Sequence, residues 1–106
     1  MTATTNPHPD VPLPAGAVFG DVWEGRGPER VVTGPTRGIT DAETIICIIW
    51  TSAIQRADGR IAPDHPEPPL VHIDGCADIG LNSDRARELA SVLLEAADEV
   101  DRWAQR

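Results

Sequence analysis

Apolar positions in this chain fall into two long stretches with different spacing and several short ones. Between Thr44 and Ile54 the run TIICIIWTSAI is almost uninterrupted, with isoleucine at 45, 46, 48, 49 and 54 beside Trp50 and Thr51. β-branched and aromatic side chains suit a pleated surface better than a helix, so this run predicts the central strand. Alternation sends Ile45, Cys47, Ile49, Thr51 and Ala53 one way and Ile46, Ile48, Trp50, Ser52 and Ile54 the other. Both faces are then largely apolar, which predicts cover on both sides. From Ala86 the period changes to that of a helix. Ala86, Leu89, Leu93, Ala96, Val100 and Trp103 alternate steps of three and four, and Ala90, Leu94 and Ala97 broaden the stripe. Asn82 or Ser83 supplies a capping oxygen and Asp84 a favourable charge at the positive end of the helix dipole. The helix is expected to lie on the sheet; sealing a dimer with part of its stripe is the alternative.

The shorter segments are read from their breakers. Val18–Trp23 predicts a first strand or extended segment, ended by Gly25, Gly27 and Pro28. Glu29–Thr33 predicts a second strand ended by Gly34 and Pro35, and Arg37–Thr40 a third. Asp58-Gly59 predicts a two-residue hairpin turn with positive φ at both central positions. The returning strand begins at Arg60–Ala62, is interrupted by Pro63, Pro66, Pro68 and Pro69, and resumes at Leu70. Val71 and Ile73 then share one face, and His72, Asp74 and Cys76 the other. Residues 1–16, with Pro7, Pro9, Pro12 and Pro14, are expected to form a flexible arm, the alternative being that Val11 and Leu13 pack on a sheet face. The prediction is therefore a proline-rich arm (1–16) and one α+β domain (17–106). That domain is a small antiparallel β-sheet of about four strands carrying one long C-terminal α-helix.

Composition narrows the function classes. The 106 residues hold 17 acidic and 9 basic side chains, a net charge of −8. That balance argues against binding nucleic acid or an anionic membrane, both of which need clustered cations. All nine basic residues are arginine, so no lysine amine is available for a Schiff base. Cys47 and Cys76 form no recognisable framework. A reducing cytoplasm is the expected compartment, Cys47 is expected to be a small buried hydrophobe, and no disulfide is expected.

Candidate chemistry is sparse. His72, Asp74, Cys76 and Asp78 would share one face of a continuous strand and are plausible metal donors, but Gly75 and Gly80 break the continuity and no second ligand pair exists. A nucleophilic pair of His72 with Cys47 or Cys76 lacks a third, orienting group. No catalytic, cofactor or metal residue is assigned. Trp23, Trp50 and Trp103 are foremost packing residues. Any ring that lies on an uncovered face becomes an anchor for a protein partner, together with Ile46 and Ile48.

The segments TSAIQRADGRI, PLVHIDG and LNSDRARELASVLLEAADEVDRWA resemble a recurrent class of small acidic proteins from mycobacteria and their phages. The likeness spans the last two thirds of the chain and, more weakly, Trp23–Thr33. PDHPEPP looks like an insertion relative to that class. The resemblance implies a strand, an Asp-Gly hairpin and a terminal helix, and no activity. It points to a non-enzymatic phage or prophage product that binds and modulates a host protein, in growth, division or phage exclusion; the apolar second face of the central strand adds the expectation of a homodimer, through that face or the helix. A transcription-related or DNA-mimic-like acidic protein is the second expectation, and a small metal binder or enzyme using His72 and Cys76 the third.

Overall fold

The computed structural model describes residues 11–41, 43–75 and 80–105. Five strands, β1 (Phe19–Gly20), β2 (Glu29–Thr33), β3 (Arg37–Asp41), β4 (Thr44–Arg56) and β5 (Leu70–Asp74), precede one helix, α1 (Ser83–Gln105). The sheet is antiparallel throughout; β2, β3 and β5 all pair with β4, and β1 pairs with β2. Ser52 faces Thr33 on one side and Leu70 on the other, while Ile48 faces Gly38 and Asp74. Hence β2 and β3 run end to end along one edge of β4, broken at Gly34-Pro35. Along the opposite edge, residues 61–62 and then β5 do the same, broken by the proline segment. Those prolines lack the N–H that a continuous ladder needs.

Asn82 caps α1, its Oδ1 accepting the Arg85 amide at 2.8 Å. The helix runs along β4 on one face only, called here the inner face. Ala96 packs with Ile39, Cys47 and Ile49, and Trp103 with Val32, Ala53 and Ile61. Leu89, Val92 and Leu93 complete the first cluster. The helix thus lies on its own sheet, and Leu94, 67 % exposed, faces away from it. Leu94, Ala90 and Ala97 do not broaden the buried stripe. The position that does is Glu99, one turn from Trp103 and 3 % exposed. Its carboxylate accepts the Thr51 hydroxyl at 2.6 Å and lies 3.7 Å from Arg37 Nη1. Gly34 passes so close that a Cβ there would overlap the Glu99 carboxylate and the Thr51 hydroxyl.

Four further sequence expectations change. A register shift between Ile39 and Thr40 leaves one extra residue on β4, because Ile39 faces Cys47 and Thr40 faces Ile45. Paired residues share a face, so Ile45 turns outward with Thr40, and Ile46 packs against the inner cluster instead of joining Ile48 and Trp50. The chain reverses at Asp58-Gly59, but only Gly59 has positive φ, at 92°. Gly59 N–H donates to Arg56 O and Arg56 N–H to Arg60 O, which makes a three-residue loop with a glycine bulge. Cys47 is disulfide-bonded, contrary to the expected free thiol. The sequence contains one other cysteine, Cys76, which lies outside the described residues.

The fourth change concerns the arm. Of residues 1–16, those from Val11 are described, and they are tied to the inner face beyond the end of α1. Arg30 Nη2 donates to Val11 O at 3.1 Å, Gln55 Nε2 to Pro12 O at 2.8 Å, and Trp103 Nε1 to Ala15 O at 2.8 Å. A turn closed by Ala17 N–H on Pro14 O, with Gly16 at φ 92°, leads into β1. Buried Arg30 and Gln55 need partners, and prolines offer carbonyls without competing donors.

Candidate functional site

The outer face of the sheet is where the described structure leaves apolar surface uncovered. Register assigns its side chains. Trp50 pairs with His72, Ser52 with Leu70, Ile54 with Val31 and Thr33 with Phe19. Each pair shares a face and lies opposite the residues that touch α1. At the hairpin end the proline segment shields this face. His65 Nε2 lies 3.2 Å from Glu29 Oε1, and Arg56 Nη2 2.9 Å from Asp64 Oδ1. Ile54 and Ser52 are accordingly buried. Toward the other end no described element crosses the face. Phe19 is 56 % and Ile45 60 % exposed, Val31 and Leu70 more than a third, and Ile48 and Trp50 are half-buried.

At the centre of this patch Trp50 and His72 stack, ring centroids 5.0 Å apart and planes inclined by 13°. His72 Nε2 lies 2.7 Å from Ser52 Oγ. Two contacts thus fix the imidazole, and it in turn holds the indole flat, so that the patch presents a rigid aromatic platform. A Ser–His contact of this length is also what a general base makes to a nucleophile. Ser52 is only 6 % exposed.

The residues predicted to anchor a partner therefore separate. Trp50 and Ile48 lie in the uncovered patch. Ile46 is drawn into the inner cluster by the bulge, and Trp103 is core at 4 % exposure. Trp23 is half-buried away from the patch, with the Arg30 guanidinium 4.5 Å above its ring. Phe19, Val31, Ile45 and Leu70 were missed. Period-two alternation from Trp50 reaches Leu70 and Val31 only once the strand pairing is known. Of the proposed metal donors, Cys76 and Asp78 lie outside the described residues, and His72 faces Trp50 and Ser52. Among the described residues no three His, Cys, Asp or Glu side chains cluster as a metal site would require.

No protein-family model, curated protein or solved structure matches this chain.

Proposed function

We propose that the protein is a non-enzymatic binding module that docks a host protein on the outer face of its sheet, around the Trp50–His72 stack. The observation that carries this reading is the set of apolar side chains on the outer face, Phe19, Ile45, Ile48, Trp50 and Leu70, uncovered by any described element. Apolar patches of this kind mark protein interaction sites, and a buried aromatic is the commonest energetic anchor in one. The net charge of −8 suits a partner whose apolar surface is rimmed by cations. A second copy is the less favoured occupant, since it brings another −8 to the same contact. The resemblance to mycobacterial and phage proteins supports a host protein as partner and a modulating role.

The test compares capture of partners from a mycobacterial lysate by three tagged proteins: the natural sequence, Ile45→Glu and Leu94→Glu. Both substitutions fall at exposed positions, and an unchanged melting temperature is required of each. A single enriched protein retained by Leu94→Glu and lost by Ile45→Glu supports the outer face. Equal retention by both variants contradicts it, and a doubled mass by light scattering that Ile45→Glu abolishes assigns the face to a second copy.

A further inference from the structure

The arm that covers the inner face beyond α1 is held in an unusual way. Three side chains from three elements, Arg30 on β2, Gln55 on β4 and Trp103 on α1, each donate one hydrogen bond to a backbone carbonyl of the segment Val11-Pro-Leu-Pro-Ala15. All three donors are buried, Gln55 completely. They form one unit. Arg30 Nε also donates to Gln55 Oε1 at 2.8 Å, which aims both side chains, and Gln55 Nε2 is shared with Gly59 O at 3.0 Å. Trp23 lies beneath the guanidinium. Donors from indole, amide and guanidinium groups that read the carbonyls of a proline-spaced segment are the chemistry by which extended proline-rich peptides are bound.

The arm commits few side chains to this contact. Pro12 is exposed, Val11 and Pro14 are partly buried, and Leu13, 36 % exposed, lays its side chain over Gly20. Carbonyl recognition is blind to side-chain identity, so any segment with prolines at the same spacing meets the same donors. The trough also continues past Pro14 and Ala15 into a cleft of about 290 Å³ bordered by Gly59, Ile61, Arg102 and Trp103. Arg30, Arg60 and Arg102 all lie around this trough, in a chain with only nine basic residues. They favour a ligand with acidic neighbours.

We propose that the trough built by Arg30, Gln55 and Trp103 is a binding site for a proline-rich segment of a partner protein, held closed here by the chain's own Val11–Ala15. The site lies on the opposite side of the sheet from the outer-face patch and does not depend on that reading. A tethered arm competes at an effective concentration of about 1 mM, so a free peptide gains access only when the arm is loosened or the peptide is in excess.

The experiment titrates a synthetic peptide of residues 9–17, PDVPLPAGA, into isotopically labelled full-length protein and follows the Trp103 indole N–H. The natural chain is compared with Pro12→Gly/Pro14→Gly, which loosens the arm. Apparent affinity at least about tenfold tighter for the loosened variant is expected, because removal of cis competition restores the intrinsic constant. A peptide with alanine in place of Pro12 and Pro14 should bind at least about tenfold more weakly, the loss expected when a preformed extended ligand becomes flexible. If the variant unfolds, a spin-labelled peptide at millimolar excess over the natural chain decides, by broadening the signals of Gly59, Ile61 and Trp103. Absence of binding to a folded variant whose indole signal shows an open trough overturns the proposal, as does absence of broadening on the natural chain. A doubled mass of the variant with no peptide binding overturns it in favour of arm exchange between two copies.

Discussion

At the scale of single residues, the interior is organised by a carboxylate. Glu99 is buried on the helix face where an apolar residue would be expected, and it joins α1 to Thr51 of β4 and to the break between β2 and β3. A buried charge is tolerated only when it is bonded and paired, and here the Thr51 hydroxyl and Arg37 supply both. Thr51→Val should cost about 1.5–3 kcal/mol, the range for a hydrogen bond to a charged group, read as a lower urea midpoint with unchanged slope. Gly34→Ala should cost about 1–3 kcal/mol by the same measurement, since its methyl group displaces the carboxylate. The helix period does place Glu99 on the buried stripe, three residues after Ala96. Its partner was not legible, because Thr51 comes close only when α1 runs along β4. Arg30 could have been placed by alternation from Val32, but what covers it could not.

Asp58 gives a residue-scale pH prediction. Its carboxylate accepts the Arg60 amide at 2.9 Å, which, with the Arg60 guanidinium, holds its pKa below the ordinary 3.8. A carboxyl whose pKa is depressed in the folded state contributes stability above pH 3.8 and loses it as pH falls through the folded value. Asp58→Asn should therefore flatten the acid limb of a plot of melting temperature against pH and leave its shape above that range unchanged. A parallel downward shift at every pH would contradict this.

At the scale of elements, strand and helix identities were readable because hydrophobic period and breakers agree there. The bounds of β2 match the sequence reading, and Asn82 caps α1. What escaped is set by pairing. The bulge that exchanges Ile45 and Ile46 between faces leaves no mark in a run where every residue is apolar. The three-residue loop at Ala57–Gly59 shares its Asp-Gly signal with a two-residue turn. Packing of the arm on a sheet face was the alternative reading, but its partners Gln55 and Trp103 were not legible because they lie far along the chain. The disulfide at Cys47 has no sequence spacing that announces it. Thiol titration of the folded chain should find no free thiol before reduction and two after. Reduction should lower stability by about 2–4 kcal/mol, the usual contribution of a native disulfide. Free thiols in protein purified without reductant would contradict this.

At the scale of the whole molecule, the asymmetry of the sheet is the property that matters. One long helix and a short arm complete the inner face. The prolines that break the β5 edge fold back over one end of the outer face, and no described element covers the rest. The sequence predicted cover on both faces of β4, and the structure supplies it fully on one. No described helix is long and apolar enough to cross a membrane. Its rigid Trp50–His72 stack and a chain charge of −8 suit a protein surface with an apolar centre and a basic rim.

The most direct measurement of this account is amide and indole chemical-shift mapping of the labelled chain as the captured partner is added. The account predicts changes concentrated at Phe19, Val31, Ile45, Ile48, Trp50 and His72, with Leu94 and the exposed side of α1 unmoved. Changes confined to α1 with a silent outer face would contradict it.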